Sequence, residues 1–131
     1  MTDYEGIVRG FIHCLWKTDG AGLSTFLTDD YFSHESPDSP PGPEGEIAVA
    51  SSWKSAFPDF DYEVLEVVGD GDRIGVVGRI SGTHLGEYEG RPGSGRRFAV
   101  KTCDMLTLRD GRICEHRGVY EDALMRDQLG M

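Results

Sequence analysis

Apolar residues near the start of the chain recur with helical spacing. The set consists of Tyr4, Ile7, Val8, Phe11, Ile12 and Leu15. Intervals of three and four residues place one apolar stripe on a helix of about 16 residues, and Gly20 ends it. A second, short helix is predicted over residues 23–27. A third is predicted over residues 45–57, where Pro58 stops it because the residue before a proline disfavours helical geometry.

Apolar and polar residues alternate in the second half of the chain, which predicts strands. The predicted strands cover residues 60–68, 73–86, 96–109 and 112–120, followed by a closing helix over 121–130. The pair Asp110-Gly111 is the strongest short hairpin signal in the chain. Helices first and strands later predict a single α+β domain over residues 1–131. We expect a strongly curved antiparallel sheet with helices packed on one face, which makes a cone with a pocket inside.

The charge balance narrows the class of ligand. The chain has 13 Lys and Arg residues against 23 Asp and Glu residues, for a formal net charge of −10. Such a surface repels phosphates, so we expect no binding to nucleic acid or to an anionic membrane. No apolar run approaches the roughly 20 residues that a bilayer span needs. A small neutral or cationic molecule, or another protein, fits this charge better.

Cysteine usage and the missing motifs indicate a cytoplasmic protein without a cofactor. Cys14, Cys103 and Cys114 are odd in number and lack C-x-x-C spacing, which favours free thiols in a reducing compartment. No signal-peptide pattern opens the chain. The glycine-rich residues 90–97 lack the ending of a phosphate loop, and no metal-ligand pattern occurs. Any chemistry is therefore expected to use carboxylates, hydroxyls and the shape of the pocket.

Asp104 interrupts the apolar face of the longest predicted strand. The even positions of residues 96–109 are otherwise Phe98, Val100, Thr102, Leu106 and Leu108. An ionisable group inside an apolar stripe is costly unless it is paired or functional. The alternative is a buried Asp that bonds a backbone N–H. If Asp110-Gly111 is a two-residue turn, Arg117 lies opposite Asp104 and keeps it ionised as a base, whereas a β-bulge would break this register.

The loop over residues 34–45 holds four prolines and one central acid, Asp38. Its rigidity suits a carboxyl group held over a pocket, and a turn or helix-cap role is the alternative. Four residues are candidates for substrate contact, namely Trp53, His84, Arg117 and Tyr120. His84 ends a strand face on which Gly78 and Gly82 leave room for a ligand, although a lone His is more often structural.

Three stretches carry a family resemblance. They are "AFPDFDYEVLEVVGDGDRIGVVGRISGTHLGEYEG", "GRRFAVKTCDMLTLRDGRICEH" and the final "DQLG". In order and spacing the chain resembles SnoaL-like polyketide cyclases of the nuclear transport factor 2-like superfamily, over nearly its whole length. Members that close rings by aldol chemistry carry an acid where this chain has Gly118 and a pocket His where it has Asp104. The resemblance therefore puts carbon–carbon ring closure in doubt.

A second resemblance implies different chemistry. Epoxide hydrolases and pyran-forming cyclases of salinomycin-type polyether biosynthesis share this fold and use two carboxyl groups. One comes from the loop that Asp38 occupies, and the other tends to lie on the first long strand, where this chain has Glu63 and Glu66. The likeness implies a cofactor-independent cyclase that forms a cyclic ether on a hydrophobic polyketide-derived substrate. Asp38 and Asp104 would then be its acid and base, in either order.

Two other functions remain open. An aldol-type cyclase would use Glu121 or Asp122 as a displaced acid, and a non-catalytic ligand-binding or dimerisation module would need neither. The superfamily often pairs through its sheet, so the resemblance also implies a homodimer.

Overall fold

The computed structural model describes all 131 residues, which form four helices and one five-stranded sheet. In chain order the elements are α1 (Tyr4–Trp16), α2 (Gly20–Leu23), β1 (Leu27–Ser33), α3 (Pro43–Ala56), β2 (Asp61–Asp70), β3 (Arg73–Thr83), β4 (Arg97–Arg109), β5 (Arg112–Tyr120) and α4 (Asp122–Leu129). The predicted α+β fold, with helices packed on a curved sheet, is confirmed. None of the four helices combines the length and the apolar character needed to cross a membrane.

The first helix ends at Trp16, earlier than predicted, because Asp19 begins a separate helix, α2. The Asp3 side chain accepts a hydrogen bond from the Gly6 N–H at 2.9 Å and begins α1, and Asp19 accepts from the Gly22 N–H at 3.0 Å and begins α2. Both are N-cap contacts, which satisfy donors that have no partner within the helix. α1 therefore has 13 residues rather than about 16.

The sheet contains one strand that the sequence pattern missed. Its strand order is β1-β5-β4-β3-β2, and β1 pairs in parallel with β5 while the other neighbours are antiparallel. We predicted residues 23–27 as helix and expected no strand before residue 34. The stretch Leu27–Ser33 lacks clean alternation, with two exposed acids in its middle, Asp29 and Asp30. Its strand state depends on pairing with a segment more than 80 residues away, which no local pattern reveals.

A β-bulge changes the predicted register of the last hairpin. Arg109 faces Arg112 across the Asp110-Gly111 turn, as predicted, and both turn residues have positive φ, at 53° and 80°. Leu108 then pairs with Ile113 and Thr107 with Glu115, so Cys114 is the extra residue in β5. A bulge of this kind moves every later residue of its strand to the other face.

The bulge separates Asp104 from its predicted partner. Asp104 lies opposite Gly118, and Arg117 lies opposite Met105 on the exposed outer face of the sheet. The predicted contact between Arg117 and Asp104 is therefore wrong. The inward direction of Asp104 is confirmed, because Thr102 and Leu106 on either side of it are both buried.

Two apolar clusters flank the inner face of the sheet. The larger joins α1, α2 and β1 to the turn-proximal ends of β3, β4 and β5, with Leu23, Leu27, Ile74 and Ile113 fully buried. The smaller joins the end of α3 and α4 to the other ends of β3 and β4 around Phe57 and Phe98, Phe57 being fully buried. The inner surface of the sheet between α1 and α3 is left to form a cavity.

Candidate active site

A cavity of about 490 Å³ lies between the inner face of the sheet and the helices α1 and α3. This volume falls in the range of pockets that bind small molecules. Most of its wall is apolar, including Phe11, Val49, Trp53, Val76 and Ile80. Its polar lining includes Tyr31, Ser33, Glu46, Tyr62, Thr102, Asp104 and His116. An apolar cavity with a few linked polar groups is the arrangement expected of a binding or catalytic site.

Asp104 and His116 form the central polar pair of this cavity. His116 Nε2 lies 2.8 Å from Asp104 Oδ1, and each side chain is 18% exposed. A carboxylate can only accept, so Nε2 carries the proton and donates it. Ser33 Oγ lies 2.8 Å from His116 Nδ1 across the parallel pair of β1 and β5. A hydroxyl can donate or accept, so His116 keeps both hydrogen bonds whether it is neutral or charged.

Tyr62 holds the second oxygen of Asp104. Its hydroxyl donates to Asp104 Oδ2 at 2.7 Å and accepts from Thr102 Oγ1 at 3.1 Å. Burial, and then the charge of Asp104, raise the pKa of Tyr62 well above its ordinary value, so the phenol remains a donor. Each oxygen of Asp104 therefore has one protein donor and a further lone pair for a ligand in the cavity.

The environment favours the protonated form of His116. Burial by itself lowers the pKa of His116, but the hydrogen bond and charge of Asp104 and the charge of Glu46 outweigh it and raise the pKa. The partner of the Asp104 carboxylate therefore keeps its positive charge to higher pH than a free imidazole does.

Glu46 is a second carboxyl group in the same cavity. Its Oε1 accepts a hydrogen bond of 2.9 Å from the hydroxyl of Tyr31, a buried side chain on β1. Burial raises the pKa of Glu46, partly offset by the Tyr31 hydrogen bond and by the charge of His116. This carboxyl group therefore keeps its proton more readily than an exposed glutamate does.

Gly118 provides the space in which Asp104 and His116 meet. A Cβ atom at position 118 would overlap Asp104 Oδ1 and would lie 2.9 Å from His116 Nε2. Position 118 is also where the family resemblance expects an acid. In this chain the acid stands on the neighbouring strand at position 104, and the glycine leaves room for it.

The other predicted site residues divide into two groups. Trp53 and Tyr120 line the cavity, with ring centroids 5.9 Å apart. His84 is 2% exposed, lies outside the cavity lining, and has its Nδ1 3.1 Å from Ser94 Oγ. It packs against the ring of Phe57. These contacts indicate a structural His, and Arg117 on the outer face cannot contact a ligand in the cavity.

Asp38 does not meet Asp104 in this structure. It is exposed on the loop between β1 and α3, and it is not among the residues that line the cavity. Glu35 and Ser36 of the same loop do line the cavity. The loop therefore borders the site as predicted, while its central acid points elsewhere.

The sequence interpretation did not assign a role to His116 or Glu46. Glu46 precedes Ala50, Trp53 and Phe57 at intervals of four, three and four, so helical spacing alone places it on the inward stripe of α3. Helical spacing therefore contained a signal for the inward direction of Glu46. Strand alternation gave no such signal for His116, because an unbroken register would turn it outward and only the bulge at Cys114 brings it into the cavity.

Comparison with known proteins defines the family. The family model for SnoaL-like polyketide cyclases matches residues 6–129, and the chain belongs to that family.

Two curated relatives illustrate the similarity in sequence. Aklanonic acid methyl ester cyclase DnrD of Streptomyces peucetius is 31% identical over 77 residues, which are 58% of this chain and 53% of that protein. Aklanonic acid methyl ester cyclase DauD of Streptomyces sp. strain C5 is 29% identical over 107 residues, 77% of this chain and 64% of that one. The chain thus matches between half and two thirds of the length of these relatives.

The solved structures match over almost their whole length. IdmH from Streptomyces antibioticus superposes with a TM-score of 0.84 at 29% identity, covering 98% of this chain and 99% of that one. TsrD from Streptomyces laurentii superposes with a TM-score of 0.86 at 27% identity, covering 96% of this chain and 93% of that one.

Proposed function

We propose that this protein is a cofactor-independent polyketide cyclase that closes a six-membered cyclic ether on a hydrophobic polyketide-derived chain. The observation that carries the proposal is Asp104, a carboxylate in an apolar cavity with donors from His116 and Tyr62. Membership of the SnoaL-like family supports cyclase chemistry. Glycine at position 118, where an aldol cyclase would carry its acid, favours bond formation to oxygen rather than to carbon.

The proposed reaction uses Asp104 as general base. It takes the proton of a substrate hydroxyl, whose oxygen then attacks an allylic or epoxide carbon and forms the ring. The positive charge of His116 compensates the carboxylate, and Tyr62 fixes its orientation. Trp53 and Tyr120 belong to the walls that fold the substrate chain so that its reacting ends meet, and this proximity lowers the entropic part of the barrier.

The leaving oxygen must gain a proton, and the polyether resemblance offers Asp38 for this step. In the proposal Asp38 acts only if the loop between β1 and α3 turns its side chain inward when substrate binds. The position of Glu35 and Ser36 in the cavity wall supports an inward turn of this loop, and the exposure of Asp38 in the free protein weighs against it.

A second candidate function is closure of a carbon–carbon bond, which the likeness to two aklanonic acid methyl ester cyclases favours. Asp104 would then remove a proton from carbon. Of the two displaced acids, Asp122 lines the cavity, whereas Glu121 is exposed and accepts a hydrogen bond from the Lys101 N–H at 2.7 Å. Carbon NMR of the product separates the two functions, because one forms a new C–O bond and the other a new C–C bond.

The test is a kinetic comparison of variants on a synthetic linear substrate. Its hydroxyl group is spaced from an allylic alcohol so that closure gives a six-membered ring. We expect D104N to lower kcat by about 10²–10⁴-fold, the usual contribution of a positioned proton transfer. D72N, at an exposed turn, is the matched control and should keep wild-type activity. Ring closure by a folded D104N protein at the wild-type rate would refute the proposal.

The homodimer is also carried forward as a proposal. The outer face of the sheet exposes apolar side chains, among them Val68 at 61% and Val119 at 70%. Sheet-to-sheet pairing would cover them. Light scattering on the purified protein tests it, and a monomer at micromolar concentration would count against it.

A further inference from the structure

Glu46 faces the substrate space from the helix side of the cavity. It lies on α3, while Asp104 and His116 lie on β4 and β5, and all three line the same cavity. Its side chain has no Lys or Arg partner and makes one hydrogen bond, from Tyr31. A carboxyl group without a cationic partner in an apolar wall is costly as an anion and much less costly as a neutral acid.

The electrostatic environment of Glu46 also favours its protonated form. Burial and the charge of Asp104 raise its pKa, whereas the Tyr31 hydrogen bond and the charge of His116 lower it, and the net shift is upward. Glu46 therefore differs from Asp104, which has an imidazole partner, His116, at 2.8 Å. Two carboxyl groups in unlike environments are suited to the two halves of acid/base catalysis.

We propose that Glu46 is the general acid of this site and delivers its proton to the leaving oxygen while Asp104 accepts the proton of the attacking hydroxyl. The proposal rests on the function proposed above, with Glu46 in place of Asp38 as the proton donor. The bond from carbon to the leaving oxygen breaks, its electron pair stays with that oxygen, and the Glu46 proton converts it to water or, from an epoxide, to a hydroxyl group. The new C–O bond closes the ring. Proton exchange with solvent then restores the Glu46 carboxyl and the Asp104 carboxylate.

The experiment compares E46Q with E44Q, a matched change two residues earlier on the exposed side of the same helix. We expect E46Q to lower kcat on the synthetic substrate by about 10²-fold or more, and E44Q to retain wild-type activity. Difference infrared spectra along a pH titration of the free protein should contain a carboxyl group that keeps its proton to higher pH than the exposed carboxyl groups do. Its band should be lost in E46Q and kept in E44Q.

The Y31F variant tests Glu46 through the pH–rate profile, which would not shift if Glu46 had only a structural role. Tyr31 lowers the pKa of Glu46, so its removal should raise that pKa. A general acid must be protonated, so the basic limb of the pH–rate profile should move to higher pH in Y31F. An unmoved basic limb would argue against Glu46 as the acid.

The variants D104N and D38N distinguish failure of the proposed cyclase function from failure of the role proposed for Glu46. If D104N closes the ring normally, the proposed function is wrong. If D104N is inactive while folded E46Q is fully active, the function stands and Glu46 is not the acid. Loss of activity in D38N, together with an active E46Q, assigns the acid role to Asp38.

Discussion

Replacing Gly118 with alanine tests whether the cavity depends on the pair formed by Asp104 and His116. The added methyl group would overlap Asp104 Oδ1 and would approach His116 Nε2 to 2.9 Å. The neighbouring strands fix the backbone at this point, so the carboxylate has to move away from the imidazole. We therefore expect G118A to break the hydrogen bond of 2.8 Å that joins the two side chains.

The size of the effect follows from this one contact. A hydrogen bond to a charged group contributes about 1.5–3 kcal/mol. Alanine in place of glycine within a strand stabilises the fold by about 0.5–1 kcal/mol, because the unfolded chain has less conformational freedom to lose. The net loss is therefore about 0.5–2.5 kcal/mol of unfolding free energy. With an unfolding entropy of about 2.1 cal/mol/K per residue over 131 residues, Tm should fall by about 2–9 °C.

Two assays and one matched control measure the result. NMR titration of the imidazole should give a lower pKa for His116 in G118A, because the Asp104 contacts that raise it are lost. Ring closure should slow by up to about 10²-fold, since misplaced groups lose proximity. G75A is the control, because the nearest atom to a Cβ atom there is Val68 O at an ordinary 3.8 Å. If G118A behaved like G75A, with an unchanged His116 pKa and a raised Tm, the reasoning would be refuted.

Three further predictions concern stability and register. The raised folded pKa of His116 gives a stabilisation that is full below the unfolded value near 6.5 and is lost as pH rises through the folded pKa. Denaturant titrations should show this fall in wild type and a smaller one in D104N; equal falls would contradict it. R117L should leave the pH–rate profile unshifted, because Arg117 lies on the outer face. A shifted acidic limb would instead indicate that Arg117 contacts Asp104. F57A should cost about 3–5 kcal/mol in chemical denaturation, since Phe57 is fully buried, and a loss below about 1 kcal/mol would contradict its core role.

Local pattern was enough for much of the architecture. Period-two alternation in β4 predicted that Asp104 points inward, because neighbouring side chains of a strand must face opposite sides. Asp110-Gly111 predicted the hairpin turn, because a tight turn of this kind needs positive φ at both central residues. Helical spacing predicted α1 and α3 to within a few residues. It also contained the inward direction of Glu46, through the intervals of four, three and four residues that lead to Ala50, Trp53 and Phe57.

The composition of the site depended on contacts between distant segments. A single extra residue, Cys114, reverses the faces of β5, so His116 rather than Arg117 enters the cavity. A bulge has no strong local signature, because its cost and benefit lie in how the neighbouring strand and core accommodate it. Ser33 meets His116 only because β1 pairs in parallel with a strand more than 80 residues away. Asp38 shows the converse, since loop composition predicted rigidity but could not predict which way its carboxyl group points.

Side-chain periodicity thus placed one candidate site acid, Asp104, because alternation along a strand is a local property of the backbone. The partners that give this acid a chemical role come from two other strands: His116 and the space left by Gly118 from β5, and Tyr62 from β2. Their meeting depends on strand order, register and sheet curvature, which are settled by the burial of the whole apolar core. For this reason the fold class could be predicted from the chain, whereas the full set of residues at the candidate site became visible only in the assembled sheet.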